Sequence, residues 1–336
     1  MEKVLEINNL KVNFSTYDGL AHVINGINIH VNKGEIVSLV GESGCGKSVT
    51  VRSIMGLVPS AQYPEGEIKF LDKNILNLSG NEWNEIRGKG ISMIFQDPMT
   101  SLNPVFKIKT QMTNVYLHQG KKHDFRFVSK KEKNEAYDYC VNLLEKMRIP
   151  DPDSVMNRYP FELSGGMRQR IIIALALIHK PQLLIADEPG TALDVSVQDQ
   201  ILDELKRLVK EEGTSMIFIT HNLGVARAIS DRIYVMYAGT IVEESKGTKL
   251  FEKQLHPYTE GLLSSIPKLN KKMGKGIEGT LPSFIDPPKG CRFYDRCAQR
   301  MEICNTKAPQ LIQHNENQKV ACFLYDKQTV LSKEPS

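Results

Sequence analysis

Gly41-Glu42-Ser43-Gly44-Cys45-Gly46-Lys47-Ser48 follows the apolar run Ile36-Val37-Ser38-Leu39-Val40 and precedes a helix-like stretch that stops at Gly56 and Pro59. The eight residues fit G-x-x-x-x-G-K-[ST] at every fixed position. Strand, glycine loop, helix is the context that gives this pattern its meaning. The glycines let the backbone wrap closely around phosphates, with N–H groups pointing inward and a helix N-terminus adding partial positive charge. Lys47 would reach the β- and γ-phosphates, and Ser48 would ligand Mg²⁺. A chance glycine turn would lack the flanking strand and helix.

The chain has 336 residues, enough for more than one compact unit. A balance of 43 basic against 39 acidic residues is too mild to argue for nucleic acid on charge. The N-terminus, Met1-Glu2-Lys3-Val4, has no apolar signal core. The longest uninterrupted apolar run, residues 171–178, is far short of a membrane span. A soluble, cytosolic chain is the expectation.

Residues 4–31 alternate apolar and polar and predict antiparallel strands turning at Tyr17-Asp18-Gly19. Short strands are expected at 66–71 and 91–95. Residues 97–165 lose the period of two; Ala136, Tyr139, Cys140, Leu143, Leu144 and Met147 recur at helical spacing. This reads as a helical insertion into a sheet domain. Lysines crowd residues 107–133 and suit a solvated face or a contact surface. Leu163-Ser164-Gly165-Gly166 opens a second apolar helix, so Ser164 and the glycines sit at a helix N-terminus, a ready anion site. Residues 183–186 form a buried strand ending in Asp187-Glu188, paired carboxylates for which Mg²⁺ is the natural companion. Ala192-Leu193-Asp194 leads into the next helix, and strands follow at 215–220 and 232–237.

One regularity joins these pieces. The glycine loop, Gln96, Asp187-Glu188 and His221 each follow directly on an apolar strand. Parallel α/β sheets bind ligands at the carboxyl ends of their strands, so four polar elements are expected to serve one site.

The C-terminal part differs. A helix start is expected near Pro257 and a lysine- and glycine-rich linker over 268–279. Cys291, Cys297, Cys304 and Cys322 then crowd together, separated by five, six and seventeen residues, with no C-x₂-C pair. Few large apolar residues surround them, so a metal centre could supply cross-linking that a small core lacks. Four thiolates suit zinc or an iron–sulfur cluster; disulfides fit a reducing compartment poorly, and unliganded core cysteines fit least among Arg292, Asp295, Arg296, Gln299 and Arg300. Cys45, beside a helix N-terminus and Lys47, is either a reactive thiolate or a serine-sized filler.

With these residues in hand, the chain resembles the ATP-binding subunits of ABC transporters. Residues 41–48 correspond to the Walker A loop, Gln96 to the Q-loop, Leu163-Ser164-Gly165-Gly166 to the family signature, and 183–188 to the Walker B strand and its glutamate. Asp194 corresponds to the D-loop and His221 to the switch histidine. Phe14, with Tyr17 as runner-up, resembles the aromatic that stacks on adenine. The resemblance covers about residues 3–250. A narrower one, to the oligopeptide/dipeptide importer ATPases, rests on Asp97-Pro98-Met99-Thr100-Ser101-Leu102-Asn103-Pro104, on Leu255-His256-Pro257-Tyr258-Thr259 and on the cysteine tail. Cys45 stands where the family usually has serine and Gly190 where it usually has threonine.

The resemblance implies a P-loop NTPase (RecA-like) α/β core with an antiparallel β subdomain and a helical subdomain, together covering 1–250, and a cysteine-ligated extension over 251–336. It implies ATP held by Phe14, Gly41, Ser43, Gly44, Cys45, Gly46, Lys47, Ser48 and Val49, with Gln96, Asp187 and Asp194. Mg²⁺ would rest on Ser48, Gln96 and Asp187. The catalytic set would be Glu188, His221, Lys47 and Gln96. Ser164, Gly165 and Gly166 would cap the γ-phosphate on a second ATPase subunit, a paralogue, paired head to tail. Two membrane permease subunits, and indirectly an extracytoplasmic binding protein, complete the implied assembly on the cytoplasmic face of the membrane, with no nucleic acid. The resemblance also selects a [4Fe–4S] cluster over Zn²⁺ for the four cysteines. Peptide import is the implied function; nickel-chelate or sugar import, a non-transport ATPase and a clamp without turnover are its competitors.

Overall fold

The computed structural model describes residues 2–96, 101–118, 128–190, 194–265 and 276–326. Asp97, Pro98, Met99, Thr100, Ala192, Leu193 and most of the expected linker lie outside them.

In chain order, β1 (Lys3–Thr16) and β2 (Gly19–Asn32) form a long hairpin turning where Tyr17-Asp18-Gly19 predicts it. Next come β3 (Ile36–Val40), α1 (Lys47–Ile54), β4 (Ala61–Gln62), β5 (Glu67–Phe70) and β6 (Lys73–Asn74). Then follow α2 (Gly80–Ile86), β7 (Ile91–Ile94), α3 (Ile108–Leu117), α4 (Lys130–Lys146), α5 (Pro152–Met156) and α6 (Gly165–Leu177). After β8 (Leu183–Asp187) and α7 (Val195–Glu211) come β9 (Ser215–Thr220), α8 (Leu223–Ile229), β10 (Arg232–Tyr237) and β11 (Thr240–Lys246). The tail carries α9 (Lys249–Glu252), α10 (Pro257–Ser264), α11 (Glu302–Thr306), β12 (Ile312–Asn315) and β13 (Gln318–Val320).

The chain divides into two compact units: 1–77 with 218–336, and 78–217. In the first, β1, β2, β4, β5 and β6 form an antiparallel sheet in which Leu5, Ile7, Leu10 and Val12 of β1 are buried. Leu5 and Ile7, then Leu10 and Val12, each keep a period of two, and the slip of phase between the pairs falls at the register irregularity around Asn9, whose φ is 46°. A second sheet runs β12-β13-β11-β10-β3, with β3 and β10 parallel. Every residue of β3 and β10 is buried, as expected of strands covered on both faces. The tail hairpin β12–β13 extends this sheet, Glu243 pairing with Val320, so the C-terminal residues belong to the first unit.

The second unit holds the parallel pair β7–β8 and the helices α2 to α7. Ser129 starts α4 with a capping box, accepting from Glu132 N at 3.2 Å. Helical spacing of Ala136, Cys140, Leu143 and Leu144 buries one face of α4. Strand β9 carries the chain from the second unit into the first. Among the described residues no helix is long and apolar enough to cross a membrane.

Candidate active site

The glycine loop is built by strand register. Val40 lies opposite Val235 in the β3–β10 pair, so the chain leaves β3 beside the end of β10. A Cβ on Gly41 would stand 2.2 Å from Met236 O, which leaves room for glycine only. Gly46, at φ 111°, is the N-cap of α1 and has no side chain with which to cap it; the Lys47 N–H donates to the Cys45 thiol. The N-terminus of α1 carries partial positive charge that suits an anion, and the loop is a cradle that side chains would fill. Lys47 is 6% exposed, and its Nζ donates to the carbonyls of Gly41 and Glu42, each at 2.8 Å. Ser48 and Val49 are half-buried in the first turn, while Ser43 and Gly44 are exposed. This donor set fits a nucleotide phosphate chain.

Cys45 corrects one expectation. It is fully buried, and burial raises its thiol pKa against the opposing pull of Lys47. The reactive-thiolate reading gives way to that of a packed filler, because desolvation of the thiolate outweighs a nearby ammonium.

In the second unit the β7–β8 register sets Ile94 opposite Ala186, so the two chain ends leave the pair side by side. Gln96 Nε2 donates to Glu188 Oε2 at 3.1 Å, joining two residues singled out ninety-two positions apart. Asp187 is buried at the end of β8. Glu188 has φ 48°, a left-handed backbone that costs a non-glycine residue about 1–2 kcal/mol. Strain of this kind concentrates where a side chain must be aimed. Ser164 is exposed and caps α6, accepting from Met167 N at 3.3 Å. Gly165 and Gly166 form the first turn, and a Cβ on Gly166 would meet Val197 Cγ1 of α7 at 2.9 Å. Asp194 is the exposed N-cap of α7 and makes no side-chain cap bond. The signature helix and the Asp194 helix are therefore packed against each other at their starts.

His221 is exposed directly after β9, where Asn222 caps α8 by accepting from Gly224 N at 2.9 Å. Phe14 is half-buried in β1 opposite Ala21 and Ala61, whereas Tyr17 at the hairpin tip is 104% exposed.

The four tail cysteines are free thiols near enough to influence one another's charge. Burial pushes the Cys291 thiol up to about 12 and that of Cys322 to about 11. Among the described residues no group of three or more His, Cys, Asp or Glu side chains has the geometry to hold a metal ion. The expected cysteine-ligated centre is not supported by this arrangement. Cys291 and Cys297 pack beside an apolar cluster containing Tyr237, Tyr258 and Phe293.

Sequence reading missed how the tail meets the glycine loop. Arg296 grips the Glu42 carboxylate with two bonds, at 2.8 and 3.1 Å. The Glu42 N–H donates to Tyr258 Oη at 2.9 Å. Leu281 Cδ1 would lie 3.6 Å from a Cβ on Gly44. These partners stand 254 and 216 positions from Glu42, and no local pattern announces them.

Comparison with known proteins agrees with this geometry. Residues 24–191 match the ABC transporter family, and 242–304 match the oligopeptide/dipeptide transporter C-terminal region. The chain is 45% identical to the oligopeptide transport ATP-binding protein AppD of Bacillus subtilis, over 98% of each chain. It is 44% identical to the oligopeptide transport ATP-binding protein OppD of Salmonella typhimurium, over 95% of this chain and 93% of that one. The dimeric structure of a bacterial ABC transporter cassette superposes with a TM-score of 0.62 at 26% identity, over 72% of this chain and 98% of the cassette. The chain belongs to the ABC transporter family of ATP-binding proteins, and it carries the C-terminal region of the oligopeptide/dipeptide branch.

Proposed function

We propose that this chain is the ATP-hydrolysing subunit of an importer for oligopeptides or dipeptides. The observation that carries the reading is the hydrogen bond from Gln96 to Glu188 at two adjoining strand ends, in a chain that also bears the Lys47 loop. Relatives named for oligopeptide and dipeptide transport over nearly the whole chain support the cargo class.

In this reading Lys47, the loop N–H groups and Ser48 bind the phosphates, with Phe14 or Tyr17 against the base. Ser48, Asp187 and Gln96 would hold Mg²⁺, which when bound supplies charge neutralisation at the phosphates. Glu188 orients the attacking water, His221 holds it in line, and Gln96 reports on the site to the helical subdomain of about 97–165. Catalysis of this kind is mostly positioning and charge stabilisation. Ser164, Gly165, Gly166 and Asp194, exposed or half-buried at helix starts, suit a second ATPase subunit in a head-to-tail dimer. ATP then joins the subunits because its charge takes donors from both.

Val105, Phe106 and Phe161 are strongly exposed in the second unit, and Phe161 stacks on Tyr159 at 5.5 Å. Such apolar exposure supports docking to a permease at the membrane's cytoplasmic face. The functional division is an ATPase domain over 1–250 and an extension over 251–336. The soft-metal reading of the extension, [4Fe–4S] before Zn²⁺, rests on the resemblance of the four-cysteine tail to the oligopeptide/dipeptide branch and not on the placement of the thiols; iron and zinc analysis of anaerobically purified protein tests it.

The test is Glu188→Gln in the assembled complex. ATP binding should persist while turnover falls by roughly 10²-fold or more, since one oriented group is lost and the phosphate contacts remain. Wild-type turnover in the variant refutes the assignment, and failure to copurify with two membrane proteins refutes the importer.

A further inference from the structure

The C-terminal segment does more than trail the ATPase. Arg296 is 7% exposed, and its guanidinium is fully engaged: Nη1 and Nη2 on Glu42, Nε on Glu278 O at 2.9 Å, Nη2 on Ile277 O at 3.2 Å, and Nη1 on Tyr237 Oη at 3.4 Å. A planar fork held at five points has little freedom. The Tyr258 ring is fully buried and packs against Tyr237, tilted, at 4.6 Å and against Phe293, edge to face, at 5.5 Å. Its hydroxyl takes the Glu42 N–H. Glu42 is thus fixed by its carboxylate and by its peptide from one buried scaffold. Its carbonyl, and that of Gly41, in turn receive Lys47 Nζ.

Two consequences follow from the chemistry. The Glu42 N–H is turned toward Tyr258 and away from the set of loop donors open to an anion. The Glu42 carboxylate, five positions before Lys47, is a negative charge in a loop whose ligand is strongly anionic. Unpaired, it would repel that ligand; paired to a buried guanidinium, it is neutralised where it stands.

We propose that Arg296 is a positioning residue for nucleotide binding: together with Tyr258 it fixes the backbone at Glu42 and cancels the loop carboxylate that would otherwise oppose the phosphates. The inference rests on the reading of residues 41–48 as the ATP site. The tail is accordingly part of the nucleotide-binding apparatus, and events that displace residues 291–297 alter ATP affinity.

The test uses the full chain and a fluorescent ATP analogue. Arg296→Ala should weaken binding about tenfold, with the larger loss at low ionic strength, because the exposed carboxylate acts through charge. In the assembled complex KM for ATP should rise while kcat changes little. Glu42→Gln combined with Arg296→Ala should recover most of the lost affinity, which a purely structural defect would not allow. Arg296→Lys, which keeps the charge and loses the fork, should fall between wild type and Arg296→Ala. Lys47→Ala is the control for the underlying reading. If Lys47→Ala binds the analogue as wild type does, the ATP-site reading fails. If Lys47→Ala loses binding while a folded Arg296→Ala binds normally, or while the double variant is as weak as Arg296→Ala, the proposal for Arg296 alone is overturned.

Discussion

Arg170 on α6 and Glu204 on α7 form the ion pair that ties the signature helix to the helix that begins after Asp194. Arg170 Nη1 lies 2.6 and 2.5 Å from the two carboxylate oxygens and also donates to Met147 O at 2.7 Å. Glu204 is 3% exposed. Replacing Arg170 by alanine leaves that carboxylate buried without its close partner, a change that costs about 3–5 kcal/mol. Arg148 Nε stands 3.8 Å from Glu204 but is itself 70% exposed, so it offsets a small part. The lost bond to Met147 O adds about 1 kcal/mol. A loss of about 4 kcal/mol, with a urea m-value of about 2–3 kcal/mol/M, shifts the unfolding midpoint of this unit by about 1.3–2 M. Urea denaturation followed by hydrogen exchange in the α6 and α7 peptides measures it. Replacing both partners together, Arg170→Met with Glu204→Leu, should recover most of the stability, because no charge is then stranded. A shift under about 0.3 M for Arg170→Ala would show that the pair does not hold these helices together.

Two further outcomes are expected. His256 is buried, its ring Nδ1 accepts from Tyr258 N at 3.0 Å, and burial pushes its pKa from 6.5 down to about 3. A depressed pKa means that its stability is present above pH 6.5 and lost as pH falls from 6.5 toward 3, by about 2 kcal/mol at pH 5. Glu243 next to it is shifted upward by burial and contributes with the opposite sign, so the difference between wild type and His256→Asn isolates the histidine in pH-dependent melting. N-ethylmaleimide should leave Cys45 unmodified in the native chain, with peptide mass mapping as the readout; rapid labelling, blocked by ATP, would restore the thiolate reading of that residue.

Much of this protein is written locally. The glycine loop, the apolar strands and their polar terminal residues are consecutive in sequence, and each needs only its neighbours to be recognised. That Gln96 and Glu188 meet follows from two adjacent parallel strands of similar length, a regularity that strand ends reveal before any coordinates do. The tail was less legible. Arg296 and Tyr258 look like ordinary surface and helix-start residues in sequence, and only the fold brings them to Glu42 across 254 and 216 positions. The β12–β13 hairpin is similarly silent, since its pairing with β11 is decided by an available sheet edge rather than by its own short segments. Cys45 shows the same division within a single motif. Its neighbours Gly46 and Lys47 favour a thiolate, but its protonation is set by burial beneath the loop, and burial depends on what distant chain packs over it. Sequence determined which groups stand at the strand ends; tertiary packing decided which of them are dry, paired and held still, because desolvation and long-range contact have no local signature.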